Sequence, residues 1–491
     1  MPAKSRKPGV SKKGRHTQAV IIIHGMGEQR PMDTLRSFAG AVLPEPKQGG
    51  EKYFSRPDSL SESFELRVLQ NRAQPRTRFF EYYWQDKVTG TSFSHVLEWL
   101  STLLLRRPKN VPKQLIPVWV VSWLLVVVAF TAGIFGLFER LSQVTTKSPS
   151  FIVSLVSLAV LSVIQWFILK FVGDVARYLN PSPGNIKIRQ DIRADGIKLL
   201  KKIQEDGVYE RVVMVGHSLG SFVAYDILKH VWQENHKVYT KPAVSTQDAL
   251  KKVEKVGEDL RKGTAGTTLQ SYMDSQIELW KELRGLGNPW LVTDFITIGS
   301  PLAHAFLVLA KSMDELRTRQ RQRELPTNPP EPQIERTKKE ERRFYSYRVW
   351  DGYGEKKNII LRAIHSAGLF AFTRWTNIYF SGDLAGGPIT DFGPGVRNIE
   401  VKSGNRIVDH TILAHTSYWN PKAMKSTNEA NAIEVLRDAL DIESFRYFPN
   451  GENDLENEEL NMGNKEVNKK ENTKTTSIGE SKSKTAKKKH N

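Results

Sequence analysis

The chain has 491 residues, with 72 lysines and arginines against 53 aspartates and glutamates, and a formal net charge of +19. It has 0 cysteines, which excludes a disulfide framework, a thiol nucleophile and a cysteine-ligated zinc site, and suits a reducing compartment. The length allows one large, elaborated domain, and the positive charge favours an anionic surface, whether nucleic acid or acidic lipid, without choosing between them.

Residues 1–17 form a basic tail. The apolar run after it, AVIII, is too short for a signal-peptide core, so no secretion signal is expected. QAVIII at 18–23 reads as a strand, and it ends in HGMGEQ, where His24, Gly25, Met26 and Gly27 precede a helical pattern. Such a loop can turn a backbone amide towards a site, or it can be a tight turn with no ligand. TRFFEYYW at 77–84 is the next strand.

Residues 90–185 then read as a membrane insertion. The stretch at 115–138, LIPVWVVSWLLVVVAFTAGIFGLF, carries no charge over about 24 residues, enough for a helix to cross a bilayer core of about 30 Å. The stretch at 151–169, FIVSLVSLAVLSVIQWFIL, is about 19 residues long and is a second, shorter span. The short connector makes them an antiparallel hairpin. Arg106, Arg107, Lys109 and Lys113 precede the first span and Lys170, Arg177, Lys187 and Arg189 follow the second, against only Arg140 and Lys147 in the connector. The positive-inside rule therefore puts the rest of the protein, with both termini, on the cytoplasmic side. Just upstream, Phe93, Leu97, Leu100 and Leu104 share one helical stripe, which fits an interfacial helix or an ordinary helix packed on the domain.

Further along, RVVMV at 211–215, DFITIG at 294–299, RWTNIYF at 374–380 and VRNIEVK at 396–402 are strand candidates separated by helical patterns. Together these segments define an α/β chain over 18–448 with a mainly parallel sheet flanked by helices. Two more insertions interrupt it. Residues 235–290 are charged and helical in pattern, while 314–345, with runs of proline and charge, read as a surface excursion or partly disordered. Residues 449–491, rich in lysine, asparagine and glutamate, read as a disordered tail.

The chemistry starts at 211–226, RVVMVGHSLGSFVAYD. A buried-type strand runs into GHSLG and then into a helical pattern, so Ser218 stands at the apex of a strand-to-helix elbow whose glycines leave room for crowded backbones. As a nucleophile Ser218 needs an oxyanion hole, and the amide of Leu219 directly after it would be one half. Its alternative is a serine in a structural turn.

The order HGMGEQ, then VGHSLG, then an acid after a later strand and a histidine after the last resembles the α/β-hydrolase superfamily, and within it lipase-like serine hydrolases including the GPI inositol-deacylase-like group. The resemblance implies the order serine, acid, histidine. It points to Asp383, in RWTNIYFSGDLAGGP, as the acid, with Asp391 as the runner-up and Asp351 and Asp294 fitting the order less well. It points to His415, in AHTSYW, as the base, with His410 as the alternative. His217 would point away at the elbow and pack, His24 would shape the oxyanion loop, and Met26 would supply the second oxyanion amide. The strands that usually precede the HGMG strand are absent from the N-terminus, so one edge of the sheet is expected to be shortened.

These expectations describe a membrane-anchored serine esterase or lipase that acts on membrane lipid or another acyl ester through an acyl-enzyme on Ser218. It needs no cofactor or metal, and nucleic-acid binding is not expected. A thioesterase or acyltransferase would share the acyl-enzyme, and a non-catalytic scaffold would keep the fold alone.

Overall fold

The computed structural model describes residues 16–88 apart from 26–29 and 47–48, isolated positions between 108 and 178, and 183–238. Beyond these it describes 247–336 apart from 311, then 341–349, 361–424 apart from 410–411, and 431–442. The centre is one eight-stranded sheet. Its strands are β1 (Thr17–Ile23), β2 (Tyr53–Pro57), β3 (Arg67–Asn71), β4 (Arg76–Tyr82), β5 (Arg211–His217), β6 (Val292–Ile298), β11 (Arg374–Tyr379) and β12 (Val396–Glu400). Between β6 and β11 lie β7 (Gln333–Arg336), β8 (Glu341–Phe344), β9 (Ser346–Val349) and β10 (Leu361–Ile364), which pair as two small antiparallel hairpins.

The spatial order is β12-β11-β6-β5-β1-β4-β3-β2, with every pair from β12 to β4 parallel and β3 antiparallel to both its neighbours. A strand buried on both faces reads as a continuous apolar run, which is why AVIII carries no alternation. Ala19, Ile21 and Ile23 enter one core layer, and Val20 and Ile22 the other. The second layer also takes Leu35 and Phe38 from α1 (Asp33–Val42) and Leu436 and Leu440 from α7 (Ala432–Leu440). The first takes Ile192, Leu199 and Leu200 from α2 (Pro183–Glu205) and Phe222, Val223 and Tyr225 from α3 (Leu219–Asn235).

One expectation is corrected at the sheet edge. The sheet is not shortened, because the antiparallel hairpin of β2 and β3 occupies that edge, arriving after β1 and α1 rather than before them. Its outer strand, YFSRP, is half-buried to exposed and carries an arginine and a proline. Those are edge-strand devices, and they erase the alternation by which a strand is read.

The insertions at 235–290 and 314–345 are ordered in their described residues, the first with the helices its pattern predicts. In 235–290, α4 (Asp248–Lys262) and α5 (Leu269–Gly285) pack on each other. Their polar anchors are the Tyr272 hydroxyl and Gln276 amide to the Phe370 carbonyl, 2.9 and 2.7 Å, and the Asn288 amide to the Asn235 carbonyl, 3.3 Å. Phe370 precedes β11 and Asn235 ends α3, so this pair sits at the N-terminal ends of the strands. In 314–345, α6 (Met313–Arg321) is capped by Ser312, and Leu325, Thr327 and Asn328 are buried. The Asn328 amide donates to the Phe392 carbonyl at 2.7 Å and its carbonyl accepts from Gly395 at 2.8 Å, so backbone pairing secures a segment that looks like loose surface.

Among the described residues no helix is long and apolar enough to cross a membrane. The spans at 115–138 and 151–169 and the stripe at 93–104 lie outside the described residues except for isolated positions, as do residues 1–15 and 443–491. Positions 116, 119, 120, 123, 124, 127, 130 and 131 are helical, and Ile116, Val120, Leu124, Val127 and Phe130 are exposed, Phe130 by 68%.

A buried charge cluster staples the strands at their N-terminal ends. Arg211 opens β5 and donates to Asp294 Oδ2 at 2.6 Å, and Arg374 opens β11 and donates through Nε to Asp294 Oδ1 at 2.8 Å. Arg211 also donates to Thr293 and Gln18 at 2.6 Å and to the Leu440 carbonyl at 3.1 Å. Burial alone would push Asp294 up, but the two guanidiniums outweigh it and hold the carboxyl at about 2. Asp294→Ala leaves two guanidiniums buried around a void, and is expected to cost roughly 3–5 kcal/mol in urea unfolding. The folded value is depressed below the unfolded one of about 4, so the contribution is present above about pH 4 and lost as pH falls through about 2. A parental midpoint in the variant would sink this account.

Candidate active site

The site gathers where the parallel strands end. β5 stops at His217, and Ser218 takes φ 52° and ψ −131°, a left-handed conformation costly to a residue with a Cβ. The backbone around it allows no alternative. A Cβ on Gly216 would stand 2.4 Å from Ser221 Cα, and one on Gly220 would stand 2.3 Å from the Ile23 carbonyl and 2.4 Å from that of His24. α3 therefore begins pressed on the end of β1, and the chain turns from strand to helix in one residue. The Ser218 amide donates to the Ile298 carbonyl of β6 at 2.9 Å. The Ser218 carbonyl accepts from the Ser221 amide at 3.0 Å and hydroxyl at 2.6 Å, and the Ser221 hydroxyl also meets that of Ser300 at 2.6 Å.

Three residues far apart in sequence converge here. Ser218 Oγ lies 2.8 Å from His415 Nε2, and His415 Nδ1 lies 3.0 Å from each oxygen of Asp383. Asp383 follows β11 in a turn closed by its own amide on the Phe380 carbonyl, and it is 1% exposed. Its Oδ1 also accepts from the Ala385 amide at 2.9 Å and its Oδ2 from the Tyr418 hydroxyl at 2.7 Å. Burial pushes this carboxyl up, but the neighbouring His415 and these hydrogen bonds outweigh it and hold it at about 2. Asp383 thus stays ionised, and an ionised carboxylate fixes a histidine with Nδ1 protonated and Nε2 free to accept.

The remaining histidines have other partners. His217 Nε2 donates to the His415 carbonyl at 2.9 Å, its ring 5.0 Å from that of His415 and 4.8 Å from Trp419. Burial, then the adjacent His415, lowers its pKa to about 3, so it packs as a neutral ring. His24 is lowered to about 4 by burial, stacks on Trp84, donates from Nδ1 to the Gly25 carbonyl at 2.8 Å and accepts the Trp84 amide at 3.3 Å. It braces the loop after β1. The start of that loop reaches Ser218, since a Cβ on Gly25 would fall 2.7 Å from Ser218 Cβ. Leu219 supplies the first amide of α3 beside Ser218, while Met26, the other oxyanion candidate, lies outside the described residues.

The runner-up acids are elsewhere. Asp294 pairs with Val213, five residues before Ser218 and so about 16 Å from it along the strand. Asp391 is raised by burial and faces Arg317 at 3.7 Å, its carbonyl accepting from Arg317 and Gln320. Asp351 and His410 lie outside the described residues. The motifs do not disclose Tyr418, three residues past His415, nor Gly299 and Gly386, where a Cβ would stand 2.7 and 2.8 Å from Asp383 Oδ2. The only signal is that Tyr418 and Gly386 lie three residues past His415 and Asp383, whereas Gly299 follows β6 and shares no loop with a triad candidate. Among the described residues no group of three or more acidic or histidine side chains is arranged to hold a metal.

Compared with protein-family models, with curated proteins and with solved structures, the chain shows no match. The fold is α/β, with an eight-stranded, largely parallel sheet compatible with an α/β-hydrolase-like architecture.

Gly299 has φ +53°, and its Cβ would also reach Tyr418 and His415. Gly299→Ala is therefore expected to displace the acid and cut the rate of Ser218 labelling by a fluorophosphonate at least about tenfold, with a stability loss of only about 1–2 kcal/mol. Labelling at the parental rate would mean that the loop absorbs the methyl group without moving Asp383.

Proposed function

We propose that the chain is a membrane-anchored serine hydrolase of the α/β-hydrolase fold, an esterase or lipase acting on a lipid or other acyl ester. The observation that carries this reading is the continuous relay from Ser218 Oγ to His415 at 2.8 Å and from His415 to Asp383 at 3.0 Å, built on a strained elbow. A turn serving structure alone has no need of a buried carboxylate held at about 2 behind a histidine.

In this mechanism Ser218 Oγ attacks the ester carbonyl as His415 Nε2 takes its proton. The new C–O bond converts the carbonyl into an oxyanion, which the amides of Leu219 and Met26 stabilise. Collapse breaks the bond to the leaving alcohol, which receives the proton from His415 and departs, leaving an acyl-Ser218 ester. Water then repeats the sequence, giving its proton to His415 as its oxygen attacks, and the acid is released with Ser218 restored. Asp383 holds the imidazole in one tautomer and stabilises its protonated form. A thiol ester or an acceptor alcohol enters the same scheme with a different leaving group or nucleophile.

The membrane part rests on the two uncharged stretches at 115–138 and 151–169, their basic flanks, and the exposed apolar side chains of Ile116, Val120, Leu124, Val127 and Phe130. Cytoplasmic placement of the domain follows from the same flanks.

With detergent-solubilised protein and a panel of glycerolipid and p-nitrophenyl esters, Ser218→Ala is expected to lower hydrolysis by at least about 10³-fold. The peptide holding Ser218 is expected to carry the fluorophosphonate label in the parent alone. Full activity in Ser218→Ala, or an unlabelled, folded parent, would reject catalysis by this serine. Separately, the full chain is expected to stay in the membrane pellet after an alkaline carbonate wash, and its release into the supernatant would reject the anchor.

A further inference from the structure

We propose that Tyr418 is a positioning residue of the Asp383–His415 couple, its hydroxyl fixing the carboxylate and drawing negative charge from it, so that it sets how firmly His415 keeps a proton. The inference rests on the serine-hydrolase reading. Tyr418 and His415 lie on one turn, three residues apart, so a single loop delivers both the base and a donor that orients its acid. The Tyr418 ring is buried, 4.7 Å from the Phe380 ring and 6.1 Å from that of His217. Its oxygen accepts the Phe380 amide at 3.0 Å, which commits its one proton to Asp383 Oδ2 at 2.7 Å.

Phe380 ends the segment from which Asp383 projects, so the phenol closes a loop from the strand through its own hydroxyl to the carboxylate. Burial, then Asp383 itself, keeps Tyr418 well above the ordinary range, so it remains a donor throughout the working pH range. Asp383 has three donors: His415, Tyr418 and the Ala385 amide. A donor on a carboxylate spreads its charge and weakens its pull on the others. Without the phenol proton, Oδ2 keeps only His415. The carboxylate then grips the imidazolium more tightly, and it also loses the bond that limits its rotation. The other titratable groups facing this couple are His217 on β5 and His304 after β6, whose Nε2 donates to the Leu384 carbonyl at 3.3 Å. Burial disfavours the charged form of both.

The test uses the full chain in detergent. Tyr418→Phe keeps the ring and is expected to lower kcat about tenfold with KM unchanged, and to move the acid limb of kcat/KM upward by about 0.5–1 pH unit. Combined with Asp383→Asn it is expected to add no further loss, because its effect passes through that carboxylate. Site-specific replacement of Tyr418 by 3-fluorotyrosine, a stronger donor of the same shape, is expected to move the limb the opposite way, and it serves if Tyr418→Phe folds poorly. A parental pH profile in both variants, or a loss that multiplies with that of Asp383→Asn, overturns the proposal. Histidine-labelled protein gives a readout independent of turnover, since the NMR titration midpoint of the His415 ring is expected to rise in Tyr418→Phe. An unlabelled Ser218 would reject catalysis, whereas an unmoved midpoint would reject this role for Tyr418.

Discussion

The close approach of α3 to the end of β1 governs the rest of the site. Gly220 lies against the Ile23 and His24 carbonyls at a distance that admits no side chain, so the helix that follows β5 has only one place to start. That start forces Ser218 into its left-handed conformation, lifts its hydroxyl out of the elbow and leaves the Leu219 amide beside it. Strain of about 1–3 kcal/mol at one residue is modest beside a fold of this size, and it is held by neighbours on two strands and on α3 itself. Ile298 of β6 receives the Ser218 amide, Ile23 of β1 blocks retreat, and the Ser221 hydroxyl holds the Ser218 carbonyl. The geometry of Ser218 is a by-product of how a helix docks on a parallel sheet.

The two ends of the sheet divide the work. At the N-terminal ends of the strands, Arg211, Asp294 and Arg374 satisfy one another, and α4 and α5 dock on the segment before β11. Charges there are paired, buried and far from any reacting atom. At the C-terminal ends the polar groups are arranged instead in a line, Tyr418 to Asp383 to His415 to Ser218. The rings of His217 and His24 fill the flanks while neutral, adding bulk and a fixed hydrogen bond without adding positive charge next to the base. Because α4 and α5 are anchored at the far end, they are poorly sited to cover Ser218.

Sequence patterning exposed the parts of this design that repeat or that crowd. β1 is legible because a strand covered on both faces must be apolar throughout, and the elbow because crowding demands glycine on both sides of one serine. Asp383 and His415 are legible through order along the chain and slight local context, a glycine-rich loop directly after a strand for Asp383 and AHTSYW for His415. Distance separates Asp383 from Asp391, because Asp391 faces Arg317 on another surface. The β2–β3 hairpin escapes because an edge strand has one exposed side and little reason to alternate. The order at Asn328 escapes because it is supplied by backbone partners some 65 residues onward, around Phe392 and Gly395, which no local window contains.

The net charge of +19 includes the basic residues that flank the uncharged stretches 115–138 and 151–169. In the membrane-anchored reading proposed above, each of these lysines and arginines would contribute about 1 kcal/mol to adsorption on an acidic leaflet. Charge of that kind fades within a Debye length, about 8 Å in physiological salt. The site itself is almost closed to solvent, with Ser218 1% and the His415 side chain 20% exposed. In the proposed reading, an ester leaving a bilayer for such a site would exchange one low-dielectric medium for another and lose little hydration on the way. The relay it meets is already dehydrated and aligned, and in that setting a hydrogen-bonded carboxylate acts most strongly on its histidine.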